Sequence, residues 1–153
     1  MKKRKRTNGL LAIELFTAEF CFRASPVAKS QQIAQYFADL ATLYQAQGYD
    51  RLDVFVDRNS AHKAKMQAIF ASLTTQLQIQ VKFHLMAPYS PALNLVEYAI
   101  HLIRVKVLHH ADCKKSLPEF ETYIKELCDD QKILTKEQII NILEHIESLV
   151  PKL

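Results

Sequence analysis

The sequence predicts a mixed α/β domain with a helical carboxy-terminal end, and three observations carry that reading. Between Leu52 and Leu85 a strand pattern, a helical pattern and a second strand pattern follow one another, which makes a crossover unit and hence a parallel pair. Two short alternating segments precede the first helix and read as a hairpin. Beyond Pro91 the apolar residues recur only at helical spacing.

The elements follow in chain order. Leu11, Ile13 and Leu15 alternate with Ala12 and Glu14, and Phe20 and Phe22 continue a second alternation, so the hairpin strands are expected over Leu10 to Phe16 and Glu19 to Arg23. Ser25 and Pro26 interrupt the pattern. Ile33, Phe37, Leu40, Ala41 and Tyr44 then mark an amphipathic helix that stops at Gly48. Leu52, Val54, Phe55 and Val56 form a nearly continuous apolar run, as expected of a central strand covered on both faces, and the run ends in Asp57. Met66, Ile69, Phe70 and Leu73 mark a second helix, and Ile79, Val81, Phe83 and Leu85 alternate as another strand. A long helix is expected to present Val96, Ile100, Ile103 and Val107 on one face. Of two final helices, one runs from about Pro118 to Cys128, and the other opens at Thr135 with Gln138 completing a capping box and buries Ile139, Leu143 and Ile146.

A chain of 153 residues is about one domain and can bury a proper core. Apolar residues at 49% and charged residues at 24% match ordinary globular proteins and argue against disorder or a fibrous repeat. No apolar run approaches the ~20 residues that span a bilayer, and the basic start lacks the apolar stretch of a signal peptide, so a cytoplasmic protein with no membrane partner is expected. The three cysteines, Cys21, Cys113 and Cys128, have no CxxC spacing and read as reduced thiols rather than a zinc site or disulfide framework. Two glycines leave no Gly-rich phosphate loop.

The net charge of +4 is concentrated in Lys2, Lys3, Arg4, Lys5 and Arg6; without those five of the 20 basic residues, the rest of the chain is nearly neutral against 16 acidic ones. Such a run suits phosphate contacts and equally suits a solvated tail.

Asp57 stands where a parallel strand emerges, and crevices at the carboxyl ends of such strands are where α/β proteins bind ligands and metals. Taken alone it reads better as a turn or helix-capping aspartate. Asn59 and His62 follow within one turn, and His62 by itself fits a structural hydrogen bond. Glu97 opens the long helix three residues after Asn94, the spacing of a capping box, and an acid there also complements the helix dipole.

The combination is more specific than its parts. Asp57, Arg58, Asn59, Ser60, Ala61, His62 and Lys63, followed by Ala87 to Asn94 leading into Glu97, resemble the second and third signatures of DDE transposases, in particular the insertion-sequence 630 family of the mariner superfamily. Asp57 and His62 match the strand-end aspartate and following histidine of that family, and Pro88, Tyr89, Ser90, Pro91, Leu93 and Asn94 match its Pro-Tyr-Ser-Pro-x-Leu-Asn segment. The resemblance covers roughly Asn8 to His110. Arg58 stands where Asn is usual, Leu95 where Pro is usual, and Ile100 where Trp is usual. None of these departures removes a carboxylate.

The resemblance implies an RNase H-like mixed sheet flanked by helices, lacking the first strand and carrying extra carboxy-terminal helices. Family members begin with a strand that ends in the first catalytic aspartate, and this chain shows only two strands before its first helix, so that aspartate is expected to be absent; Glu14 is the only nearby acid on the first visible strand that could stand in for it. The implied organisation is a basic tail over 1–8, a partial catalytic domain over 9–112 and a helical extension over 113–153. The implied activity is metal-dependent cleavage and strand transfer, with transposon ends and target DNA as partners and a homodimer or a full-length transposase as a further one. Asp57 and Glu97 would be the catalytic and metal-binding residues for Mg²⁺ or Mn²⁺, while His62, Arg104, Lys106 and the run Lys2 to Arg6 would contact DNA. The alternatives are an inactive remnant that binds DNA or dimerises, and an unrelated small α/β interaction domain.

Overall fold

The computed structural model describes residues 8–15, 17–57, 63–86, 95–110, 117–130 and 133–149. The elements are β1 (Asn8–Ile13), β2 (Phe20–Ser25), α1 (Ser30–Ala46), β3 (Arg51–Val56), α2 (Ala64–Leu73), β4 (Gln80–Leu85), α3 (Leu95–His110), α4 (Leu117–Asp129) and α5 (Lys136–Leu149). The fold is mixed α/β, and its element order through α3 is consistent with an RNase H-like domain. The strands form two separate two-stranded sheets, β1 with β2 antiparallel and β3 with β4 parallel. The chain divides into two compact units, one of 27–90 and one of 1–26 with 91–153.

In the unit of 27–90, α1 and α2 cover one face of the parallel pair. Phe83 on β4 meets Phe37 of α1 with ring centroids 5.4 Å apart and Phe70 of α2 at 5.0 Å, both edge-to-face, the arrangement that ring quadrupoles favour. Ile33, Ala34, Ala38, Ala41, Val56, Met66 and Ile79 are buried in the same unit. The end of α1 follows from Gly48. At φ +94° Gly48 turns the chain, its N–H donates to the Gln45 carbonyl, and the Tyr49 N–H donates to Tyr44, which satisfies carbonyls that the helix end would otherwise leave open. Gln45 then accepts from the N–H groups of Gln78 and Ile79 through Oε1, tying the approach to β4 onto the helix.

β3 differs from the strand expected. Leu52, Val54 and Val56 turn inward, but Arg51, Asp53 and Phe55 are exposed, so one face is covered rather than both. Among the described residues β4 is its one strand partner, and the helices α1 and α2 supply a single covering layer.

In the other unit the hairpin β1–β2 packs with α3, α4 and α5 around Ala18, Phe20, Leu95, Ala99, Leu127, Cys128, Ile133, Leu134 and Ile139. Leu15 does not extend the first strand as the alternation suggested. The Glu14 N–H donates to the Glu19 carbonyl, the Glu14 carboxylate accepts from the backbone and hydroxyl of Thr17, and Ala18 sits at φ 61°, so the chain turns before Leu15 and leaves it exposed. Phe16 lies outside the described residues.

The helical faces are rotated slightly from those expected. α3 presents Leu95, Ala99, Leu102 and Ile103 to the core rather than a stripe centred on Val96 and Ile100, while Val107 lies outside the described side chains. α5 turns Ile139, Ile142 and Ile146 inward, whereas Leu143 is 36% exposed. Its start is as expected: the Gln138 N–H donates to Thr135 Oγ1 at 3.1 Å, and the Thr135 N–H donates to Gln138 Oε1 at 2.9 Å. Of the cysteines, Cys21 is half-buried and Cys128 buried, both as free thiols; Cys113 lies outside the described residues. No helix of the described residues is long and apolar enough to cross a membrane.

Candidate catalytic site

Asp57 follows the last residue of β3 and is half-buried. The parallel ladder continues to this point, since the Met86 N–H donates to the Val56 carbonyl at 2.8 Å. The strand alternation, carried one residue on, puts Asp57 in the outward row of Arg51, Asp53 and Phe55. A carboxylate at the carboxyl end of a parallel strand, partly withdrawn from water but not enclosed, is suited to hold a hydrated cation.

The rest of that row was not recognised as a group in the sequence. Asp53 accepts from Arg51 through both oxygens, at 3.0 and 3.2 Å, and its Oδ1 lies 2.8 Å from Nε2 of His84 on β4. The bond to His84, then that to Arg51, holds the Asp53 carboxyl below the usual carboxylate range. Phe55 stacks on His84 with ring centroids 4.8 Å apart and planes at 16°. The signal was present as a polar alternation, Arg51 and Asp53 on one strand and Lys82 and His84 on the other. The apolar run around Phe55 masked it.

Glu97 is in the first turn of α3 and is exposed, while its neighbours Leu95 and Ala99 face the core. Core packing thus points the helix so that Glu97 stays on the wet side, where an acid also complements the helix amino terminus. Asn94, expected to share a capping box with it, lies outside the described residues. Asp57 belongs to the unit of 27–90 and Glu97 to the other. Arg104 and Lys106 fall on α3, and their side chains, like Lys2, Lys3, Arg4, Lys5, Arg6 and His62, lie outside the described residues.

Glu14 is committed to its own turn by the bonds to Thr17. Among the described residues no group of three or more His, Cys, Asp or Glu side chains is placed to hold a metal ion. Asp57 and Glu97 nevertheless offer oxygen donors only, and hard oxygen donors fit Mg²⁺ or Mn²⁺.

No curated protein matches the chain. A family model described as DDE superfamily endonuclease matches residues 1–118, a span that contains both carboxylates and all of β1 to α3. With that match over most of its length, the chain belongs to the DDE superfamily endonucleases.

Proposed function

We propose that this chain is the catalytic part of an insertion-sequence transposase of the 630 family, in which Asp57 and Glu97 are two of the metal-binding carboxylates and the first is supplied from outside the residues described. The observation that carries the reading is the placement of Asp57 at the carboxyl end of parallel β3 inside a span matched to DDE superfamily endonucleases. The Pro88 to Asn94 segment leading into Glu97 supports the finer assignment.

In this reading Asp57 and Glu97 bind Mg²⁺ or Mn²⁺, which when bound supplies the charge that activates a water or 3′-hydroxyl and stabilises the leaving oxygen in in-line phosphoryl transfer. The chain's own groups position the DNA. Arg104, Lys106, His62 and the run Lys2 to Arg6 contact phosphates, which fixes register without reading sequence. The substrate is transposon-end and target DNA, and a second copy or a full-length transposase is the protein partner. The domain boundaries that go with it are a basic tail over 1–8, the catalytic domain over 9–112 and the helical extension over 113–153.

The test is metal-dependent nicking of DNA by a version extended upstream through a strand bearing an aspartate. Cleavage is expected with Mg²⁺ or Mn²⁺ and is lost in Asp57→Ala and in Glu97→Ala. Cleavage that survives either substitution overturns the assignment.

A second reading is a catalytically silent DNA-binding or dimerising remnant. The engagement of Glu14 with Thr17 favours it, because that removes the nearest substitute for a third carboxylate.

A further inference from the structure

The outward face of the β3–β4 pair carries groups that the catalytic reading leaves unused. Arg51, Asp53 and Phe55 on β3 stand in register with Gln80, Lys82 and His84 on β4. Phe55 is 55% exposed, unusual for an aromatic residue in a strand. One side of its ring lies on the His84 imidazole, and the Asp53 carboxylate, itself gripped by Arg51, holds that imidazole through Nε2. The result is a flat aromatic surface backed by His84, which Asp53 and through it Arg51 hold in place.

The chemistry around the ring selects what can cover it. An apolar protein surface laid on Phe55 would also take Arg51, Asp53 and Lys82 out of water, which is costly for charges. A nucleic acid strand asks for the mixture that is present, a ring on which a base can stack and cations beside it for the flanking phosphates. Arg51 has 63% of its side chain exposed, and Lys82 is exposed. Of the two acids in this outward row, Asp53 has both oxygens engaged by Arg51 and His84, so its repulsion of phosphate is reduced, and Asp57 stands beyond Phe55 at the strand end.

We propose that Phe55, backed by His84, is a stacking platform for an unpaired base of a DNA strand whose phosphates pass Lys82 and Arg51. The platform stands two residues before Asp57, roughly 7 Å along the strand, so a base stacked there leaves its backbone beside the candidate catalytic carboxylate. This inference rests on the reading of the chain as a DNA-acting domain and adds to it a site for a single unpaired nucleotide.

The experiment measures binding of a fluorescent single-stranded dodecamer to the full chain in EDTA, beside a dodecamer with abasic sites at its central positions. A third oligonucleotide carries 2-aminopurine, whose emission falls when it stacks. Phe55→Leu, which keeps apolar bulk without a flat ring, is expected to weaken binding of the base-bearing strand about tenfold and to abolish the 2-aminopurine quenching. Binding of the abasic strand should be the same for both proteins. Phe55→Tyr should retain affinity and quenching, and Lys82→Ala should weaken both strands alike. Wild-type affinity in Phe55→Leu, or equal wild-type affinity for base-bearing and abasic strands, overturns the proposal. A change in association state of Phe55→Leu with unaltered DNA affinity also overturns it and identifies Phe55 as a protein contact. Because no metal is present, these outcomes leave the catalytic assignment untouched, and that assignment fails only in the nicking assay.

Discussion

Oδ1 of Asp53 lies 2.8 Å from Nε2 of His84, diagonally across the parallel pair β3–β4, and Arg51 grips the same carboxylate from its own strand. These contacts favour the charged carboxylate in the folded chain and lower its pKa, the bond to His84 contributing most. A depressed carboxylate contributes stability that is present above its unfolded pKa of about 4 and is lost as pH falls through the folded value. Urea midpoints measured from pH 6 downward should therefore fall more steeply below about pH 4 in the wild type than in Asp53→Asn. Parallel pH profiles would show that the contacts contribute nothing in solution. Solvent contact of the group keeps the effect small.

Cys128 is 1% exposed, and burial, then Asp129 and Cys21, push its thiol up to about 12. Only the thiolate reacts, and with that value about one molecule in ten thousand carries it at pH 8. Alkylation by iodoacetamide at pH 8 should spare Cys128 in the native chain and modify it in urea, as peptide mass spectrometry would show. Cys21, half-buried and also raised, chiefly by burial, should label slowly. Rapid native labelling of Cys128 would mean that the face of α4 that bears it is not packed against the β1–β2 hairpin.

The inward face of α5 makes a clear contrast between two neighbouring apolar residues. Ile139 is 1% exposed in the core, and Leu143, one turn on, is 36% exposed. Ile139→Ala should cost about 2–5 kcal/mol through lost burial and the cavity left behind. Leu143→Ala should cost less than about 1 kcal/mol. Chemical denaturation of the two variants decides the matter, and equal losses would restore the face read from the sequence.

That contrast shows where sequence reading stops. Features closed within a few residues were legible: Gly48 as a helix stop, Thr135 with Gln138 as a capping box, and the strand, helix and strand order that makes β3 and β4 parallel. In α3 and α5 the apolar residues are wide enough in arc to allow two adjacent faces, and the choice between them is made by partners distant in the chain, such as the close approach at Ala99. The positions of Asp57 after β3 and of Glu97 in the first turn of α3 were legible because strand end and helix start are local features. The Asp53, Phe55 and His84 group was not, because it exists only once the register of β3 on β4 is set.

Gly48 is at φ +94°, and nothing lies within 4 Å of where a Cβ would stand, so its need is purely conformational. Gly48→Ala should destabilise the chain by about 1–2 kcal/mol. Gly48→Asn should cost less, because Asn tolerates the left-handed region better. A neutral Gly48→Ala in thermal unfolding would show that α1 can end without this turn.

The last prediction is that the polypeptide of 153 residues does not cleave DNA by itself, even with ample Mg²⁺ or Mn²⁺. A two-metal site needs enough carboxylates to hold two cations, and it is the cations that would stabilise the attacking and the leaving oxygen. Asp57 and Glu97 offer two carboxylates. Among the described residues no third acid joins either of them in a metal-holding group, and Glu14 already accepts from Thr17 through its backbone N–H and hydroxyl. Freeing Glu14 would cost the turn that carries the chain from β1 into β2. A nicking assay on supercoiled DNA should therefore find no metal-dependent activity in the chain, in Asp57→Ala or in Glu97→Ala, whereas the two substitutions should each lower the affinity for Mn²⁺ measured by titration. Cleavage by the chain that disappears in both variants would contradict this. Glu14→Ala would then be the next measurement, since loss of that cleavage would make Glu14 the third carboxylate.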